Sequence, residues 1–273
     1  MYNILHKYKP YLLLLIKLAI VFGAFYFIFQ KLNENQLLSF TQLKEQLSIL
    51  ISNNIWVLLM LFLFTDANWF LEIFKWKTLV CVEEKISFMD AYEQCFASLT
   101  TSIVTPNRIG EYGAKALFFK KEKRKKIMLL NFVGNLSQLV ATSFFGIIGI
   151  IFFIRNFNSI HPKLNSQNLL ILVLMISTIY FFRKKLKLKK IGLYLKKIPK
   201  AIFIKTLGFS FFRYLVFSHQ FYLLTILFGI DIGYLTTINL IFGMYFIASI
   251  IPSLSIFDWV IKGSIAVWLF NFV

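Results

Sequence analysis

Two long apolar segments are separated by Thr105-Pro106-Asn107-Arg108-Ile109-Gly110-Glu111. A threonine before a proline is typical of a helix start, because Thr105 can cap the helix and Pro106 lacks the N–H that would go unsatisfied there. Arg108 and Glu111 would then lie on one face of that helix. An arginine beside unbonded backbone N–H groups can hold a phosphate. The alternative is a capped cytoplasmic loop with an ordinary ion pair.

The composition is that of an integral membrane protein. Of 273 residues, 58% are hydrophobic and only 15% are charged, whereas soluble domains average about 25% charged residues. The net charge of +18 would favour nucleic acid as the partner of a soluble protein. Here the cations cluster in a few loops, Lys120–Lys126 and Arg183–Lys205. Such loops indicate a cytoplasmic side and anionic lipid headgroups, so we expect no nucleic-acid partner.

The apolar pattern predicts an all-α, polytopic membrane protein with a single domain over residues 1–273. At about 20 residues per span, it predicts about six full transmembrane helices and two re-entrant helical hairpins. The apolar segments are residues 11–29, 55–74, 127–154, 168–182, 202–229 and 236–273, and the hairpins are residues 87–119 and 236–270. We expect an uncleaved first helix, a cytoplasmic N-terminus and the bacterial inner membrane.

Residues 87–104 are too polar to face lipid on all sides, and both flanks are basic. The segment is therefore predicted to enter the membrane and return, although an amphipathic helix on the surface is the alternative. A second interruption follows at Pro252, where Ser255-x-x-Asp258 resembles a capping box and Lys262 lies one turn later. Interrupted apolar segments in the two halves of a chain point to a transporter's binding site.

Other polar groups lie inside the apolar segments. Asn131, Asn135 and Gln138 form one stripe with Thr142, which predicts either helix packing or the wall of a polar cavity. Arg213 is either a phosphate partner or a side chain that reaches back to the membrane surface.

Other charges and aromatics have simpler interpretations. Lys17 and Asp66 are predicted to pair, and four side chains are interpreted as interface anchors, namely Trp69, Lys75, Trp76 and Lys77. Two cysteines and three scattered histidines predict neither a disulfide framework nor a metal site, and we expect no cofactor.

Pro106-x-Arg108-x-Gly110-Glu111, followed by a basic patch and a long apolar helix, resembles the lysylphosphatidylglycerol synthase transmembrane-region family. These are the flippase-like domains of the multiple peptide resistance factor and of stand-alone bacterial proteins. The resemblance spans roughly residues 11–270 and implies an inner-membrane protein that binds or translocates lipid. It also implies a second motif of Pro, Gly and an acidic residue. Pro252 and Asp258 fit that motif, but residues 254–257 lack the glycine.

The leading hypothesis is a lipid-binding, flippase-like transporter for an anionic or aminoacylated phospholipid or a lipid-linked phosphate. Arg108 would hold the phosphate. Glu111 would orient the Arg108 side chain or contact an amine on the headgroup. The predicted substrate-binding residues are Pro106, Arg108, Gly110, Glu111, Asn131, Asn135, Gln138, Arg213, Pro252, Ser255, Asp258 and Lys262.

Two alternatives remain: a membrane-embedded transferase or accessory subunit acting on lipid-linked sugars, and a purely structural partner. We expect no counterpart here of the soluble lysyl-transfer domain of the two-part factor. The leading hypothesis therefore describes a protein that is not an enzyme. A homo-oligomer or a partner synthase subunit stays open.

Overall fold

The computed structural model describes residues 55–105, 108–157, 198–230, 232–251 and 257–273, with isolated positions between residues 19 and 30 and between 192 and 196. The elements within these ranges are seven helices: α1 Ile55–Val80, α2 Phe88–Val104, α3 Ile109–Leu117, α4 Arg124–Asn156, α5 Lys200–Leu227, α6 Tyr234–Ile250 and α7 Asp258–Phe270. The all-α prediction is confirmed. The predictions for residues 168–182, Lys17, Pro106, Pro252 and most of residues 11–29 lie outside the described residues.

Three of these helices, α1, α4 and α5, are long and apolar enough to cross a membrane, with mean hydropathies of 1.7, 2.0 and 1.3. They contain most of the predicted segments 55–74, 127–154 and 202–229. Large apolar side chains such as Phe62, Phe144 and Phe212 point outward along them. Contact with lipid explains why these apolar side chains are exposed. The predicted class, a multi-pass membrane protein, is confirmed.

Local sequence sets two of the helix ends. The Ser87 hydroxyl accepts from the Asp90 N–H while the Asp90 carboxylate accepts from the Ser87 N–H, so a capping box starts α2. Gly229, with φ +75°, ends α5. Its N–H bonds the Ile226 carbonyl and the next N–H bonds the Thr225 carbonyl, which is a Schellman motif.

The pair α2–α3 begins and ends at the same end of the bundle. Glu83 and Glu84, which precede α2, form ion pairs of 2.9 and 2.7 Å with Lys126 and Lys123, which follow α3. The nine residues of α3 rise only about 13 Å, less than half of a hydrocarbon core. This pair therefore enters the bundle and returns to the end where α4 begins.

The pair α6–α7 lies at the other end. α6 packs closely along α4, because Gly149 has no side chain where the Asn239 carbonyl and the Gly243 N–H approach. At the end of α7, Trp268 and Phe272 pack against Phe153 in the last turns of α4, the second of them edge to face. The two helix pairs consequently enter the bundle from opposite ends of α4.

The apolar core is divided in two. One cluster centres on Trp76, Leu79 and Ile127, where α1, α2 and α4 meet. The other centres on Tyr214 and Met244, where α4, α5, α6 and α7 meet. Polar and charged side chains lie between the two clusters.

One prediction about the end of α1 is wrong. Lys75 and Trp76 are not interface anchors, since they are only 2% and 1% exposed and α1 continues past them to Val80. The final helix begins at Asp258, and the capping box predicted at Ser255-x-x-Asp258 stays a prediction because Ser255 lies outside the described residues.

Candidate functional site

The helix that carries Glu111 begins three residues later than predicted. Thr105 ends α2, and Arg108 precedes α3 in the left-handed conformation, with φ +57° and ψ +27°. The Gly110 N–H donates to the Thr105 hydroxyl at 2.8 Å, and the Glu111 N–H donates to the Arg108 carbonyl at 3.2 Å. Two backbone N–H groups at this helix start are therefore already bonded and are not free to bind an anion. The phosphate site itself stays a prediction, and an anion here would depend chiefly on side chains.

Gly110 has a packing role. A Cβ atom at this position would lie 2.5 Å from the Thr101 carbonyl oxygen and 2.7 Å from the Thr105 hydroxyl. Only glycine allows α3 to lie this close to the end of α2. Gly110 thus positions its neighbours Arg108 and Glu111.

A buried ion pair joins α3 to α4. The Lys115 ammonium, whose side chain is 2% exposed, donates to Glu111 at 2.8 Å and to the Asn131 amide oxygen at 3.0 Å. It also lies 4.5 Å from the centre of the Trp76 ring, which is a cation–π distance. Glu111 lies 3.7 Å from Arg108 as well, so this carboxylate already contacts two cations.

A second buried group of charges centres on Glu72. Its carboxylate contacts Lys75 at 2.6 Å, Arg213 at 2.5 Å and, through its other oxygen, Lys115 at 4.0 Å. The Arg213 Nε donates to Asn68 at 2.8 Å. Arg213 is therefore held inside the bundle and does not reach back to the membrane surface.

A cavity of about 410 Å³ lies where the ends of the two helix pairs meet the middle of α4 and α5. Arg108 and Arg213 line one side, and Asp258 and Lys262, from the first turns of α7, line another. Gln138 also lines it, and both polar atoms of its side-chain amide are buried without a hydrogen-bond partner. Gln138 and Arg213 lie about 20 Å along their helices, counted from Arg124 and Lys200.

The polar stripe of α4 divides between the two roles predicted for it. Asn131 accepts from Lys115, and Asn135 donates to the Tyr112 hydroxyl at 3.0 Å, so both hold α3 against α4. Gln138 and Thr142 instead line the cavity. Packing and cavity wall are thus both present, in succession along one helix face.

A family profile described as the lysylphosphatidylglycerol synthase TM region matches residues 14–255. The chain belongs to this family. Comparisons with curated proteins and with solved structures found no match. The lysylphosphatidylglycerol synthase TM region is a membrane domain related to the synthesis of that lipid, so the chain has a membrane lipid-related function. The match contains Arg108, Gln138 and Arg213 and ends before Asp258 and Lys262.

The cavity brings together five of the predicted residues, namely Arg108, Gln138, Arg213, Asp258 and Lys262. Four other predicted residues lie behind the cavity and hold α3 against α2 and α4, namely Gly110, Glu111, Asn131 and Asn135. Sequence reasoning missed Glu72, Lys75 and Lys115 as members of the buried charge network. The spacings Glu72-x-x-Lys75 and Glu111-x-x-x-Lys115 are the signal that could have revealed them, since both place opposite charges one helical turn apart.

Proposed function

We propose that this protein binds the phosphate of an anionic membrane lipid in the cavity and transfers the lipid between the two leaflets. The observation that carries the proposal is the convergence of Arg108, Arg213 and Lys262 with the Gln138 amide on one cavity deep in the bundle. Guanidinium, ammonium and amide N–H groups are the donors that bind phosphate oxygens.

The charge balance supports an anionic ligand. Among the described residues, the cavity and the network behind it contain five cationic side chains, Lys75, Arg108, Lys115, Arg213 and Lys262, and three carboxylates, Glu72, Glu111 and Asp258. Charges at membrane depth are rarely left uncompensated. A phosphate diester would supply one of the missing negative charges, and a phosphate monoester up to two.

The same balance favours an anionic over an aminoacylated headgroup. The predicted partner of a headgroup amine, Glu111, already contacts Lys115 at 2.8 Å and Arg108 at 3.7 Å. Asp258 is the one carboxylate among the described cavity-lining residues. An additional ammonium group would enter a cavity that already has an excess of cations.

The arrangement of the helix pairs supports transport rather than static binding. They enter from opposite ends and meet at the cavity, as discontinuous helices do in secondary transporters. Basic residues concentrate at the end where α4 and α5 begin, which favours a cytoplasmic location for that end. The proposal therefore places the protein in the bacterial inner membrane with two re-entrant hairpins.

Reconstitution into liposomes tests this function. The protein is expected to move fluorescently labelled phosphatidylglycerol to the opposite leaflet, measured by quenching from outside, and to move labelled phosphatidylcholine and lysyl-phosphatidylglycerol much more slowly. Arg108→Gln should abolish the difference between phosphatidylglycerol and phosphatidylcholine. Lys121→Gln, which removes an exposed cation of the basic run, is the matched control and should transport normally. Equal rates for all three lipids in the wild type would contradict the proposal.

A further inference from the structure

A second cavity lies beside the first, between the later turns of α5 and α7. It has a volume of about 310 Å³ and is lined by Phe221, Leu224, Thr225, Phe228, Ile230, Ala266, Val267 and Phe270. The Thr225 hydroxyl is the one polar side-chain group among these residues, and it donates to the Tyr222 carbonyl at 2.7 Å. The described lining of this space, called here the α5–α7 groove, therefore offers a ligand only apolar contacts.

The groove continues the polar cavity. On α5 the cavity is lined by Arg213 and Phe217 and the groove begins at Phe221, one helical turn later. On α7 the cavity ends at Lys262 and the groove begins at Ala266, again one turn later. Each step is about 6 Å along the helix. The two spaces thus follow one another along a single seam, polar first and apolar after.

Both α5 and α7 pack on α6, whereas these two helices, described over their whole lengths, do not pack closely on each other. Within the part of the chain that the structure describes, the seam between them is therefore not closed by helix packing.

We propose that the α5–α7 groove holds an acyl chain of the same lipid whose phosphate occupies the cavity. This inference rests on the proposed function, because it assigns the tail of that ligand. Continuity is its main support, since a molecule with a charged head and an apolar tail matches the order of the two spaces. The direction follows as well: the tail points away from the Lys200 end of α5. If that end is cytoplasmic, the bound lipid has the orientation of the inner leaflet.

Lipid tails are as apolar as the groove, so the hydrophobic effect does not drive a chain into it from the bilayer. Shape and van der Waals contact would hold the chain there, and these are lost when the space is filled. Ala266 is the smallest side chain that lines the groove, so the indole of Ala266→Trp would fill the space in front of it. Ile226→Trp, on an exposed side chain of α5 that does not line the groove, is the matched control.

The test compares two probes on the purified full chain in detergent, glycerophosphoglycerol and lysophosphatidylglycerol, by isothermal titration. Both probes carry the same phosphodiester headgroup, and they differ by one acyl chain. The wild type and Ile226→Trp should bind the acylated probe at least tenfold more tightly. Ala266→Trp should bind both probes with the affinity of the chainless one. If Ala266→Trp keeps the tenfold preference, the groove is not the tail site, while the phosphate site stands. If the wild type binds neither probe, the proposed function fails and the groove assignment with it.

A crosslinking experiment gives an answer even if Ala266→Trp does not fold. Phosphatidylglycerol with a photoreactive group at the end of its acyl chain is irradiated with the protein in nanodiscs, and the adducts are mapped by mass spectrometry. Adducts within residues 221–230 and 266–270 that disappear in Arg108→Gln are expected. Adducts there that are unchanged in Arg108→Gln, or adducts on other surfaces alone, would overturn the assignment.

Discussion

Arg108 occupies a backbone conformation that its side chain does not favour, and replacing it separates binding from folding. Its φ of +57° is the left-handed region, where a residue with a Cβ is disfavoured by about 1–2 kcal/mol and glycine is not. The guanidinium contacts Glu111 at 3.7 Å and its side chain is 48% exposed. Only the arginine of this pair is exposed, and the buried Glu111 keeps its Lys115 partner when Arg108 is replaced, so losing the pair costs about 0–1 kcal/mol.

The opposing contributions nearly cancel in Arg108→Gly. Relief of the left-handed backbone stabilises the variant by about 1–2 kcal/mol. Loss of the ion pair lowers the free energy of unfolding by about 0–1 kcal/mol. The greater flexibility of the unfolded chain lowers it by about 0.4–1 kcal/mol. We expect a change in unfolding free energy between about −1 and about +1.6 kcal/mol, and a melting temperature within about 6 °C of the wild type.

Ligand binding should respond very differently. A hydrogen bond to a charged group contributes about 1.5–3 kcal/mol, which corresponds to a loss of about 10- to 100-fold in affinity. The assay measures thermal unfolding in detergent together with binding of lysophosphatidylglycerol to the same preparation. A variant that melts more than 10 °C below the wild type would show that Arg108 is a structural residue. Unchanged affinity would show that it does not contact the ligand. Either result would refute the reasoning.

Three further predictions concern the structure around the site. Lys115→Met leaves a buried carboxylate without its 2.8 Å partner and should destabilise the protein by about 3–5 kcal/mol, measured by thermal unfolding; unchanged stability would contradict the buried ion pair. Gly110→Ala places a methyl group against backbone and should cost about 1–3 kcal/mol, whereas Gly113→Ala, with open space around it, should be neutral or stabilising. Hydrogen bonding with Ser87 lowers the pKa of Asp90, so its contribution to stability is present above its ordinary pKa and is lost as the pH falls through the lowered value. Asp90→Asn should therefore lower the melting temperature at pH 7, and the difference from the wild type should shrink as the pH falls below the ordinary pKa of the carboxyl; a pH-independent effect would contradict this.

Hydrophobic patterning predicted the parts of this fold that depend on local sequence. The three long helices contain most of the predicted apolar segments 55–74, 127–154 and 202–229, and the interruption at residues 105–108 separates two helices as expected. The stripe on α4 was predicted because residues at helical spacing share a face, and Gln138 does line the cavity. Each of these features can be found within one helix.

The buried charge network depends instead on contacts between distant segments. Arg213 meets Glu72 across 141 positions of the sequence, and no periodicity reveals that pair. Lys75 was interpreted as an interface anchor because a lysine beside a tryptophan near a helix end usually is one. The left-handed conformation of Arg108 was equally invisible, so the start of α3 was placed at Pro106.

The central claim is that the cavity between the two helix pairs holds a lipid phosphate. An experimental structure of the full chain in phosphatidylglycerol nanodiscs tests it most directly. We predict phosphate density in the cavity, with nitrogen atoms of Arg108 and Lys262 about 3 Å from its oxygens, and chain density leading into the α5–α7 groove. A cavity filled by water alone or by another segment of the chain, with every lipid phosphate at the bilayer surface, would contradict it.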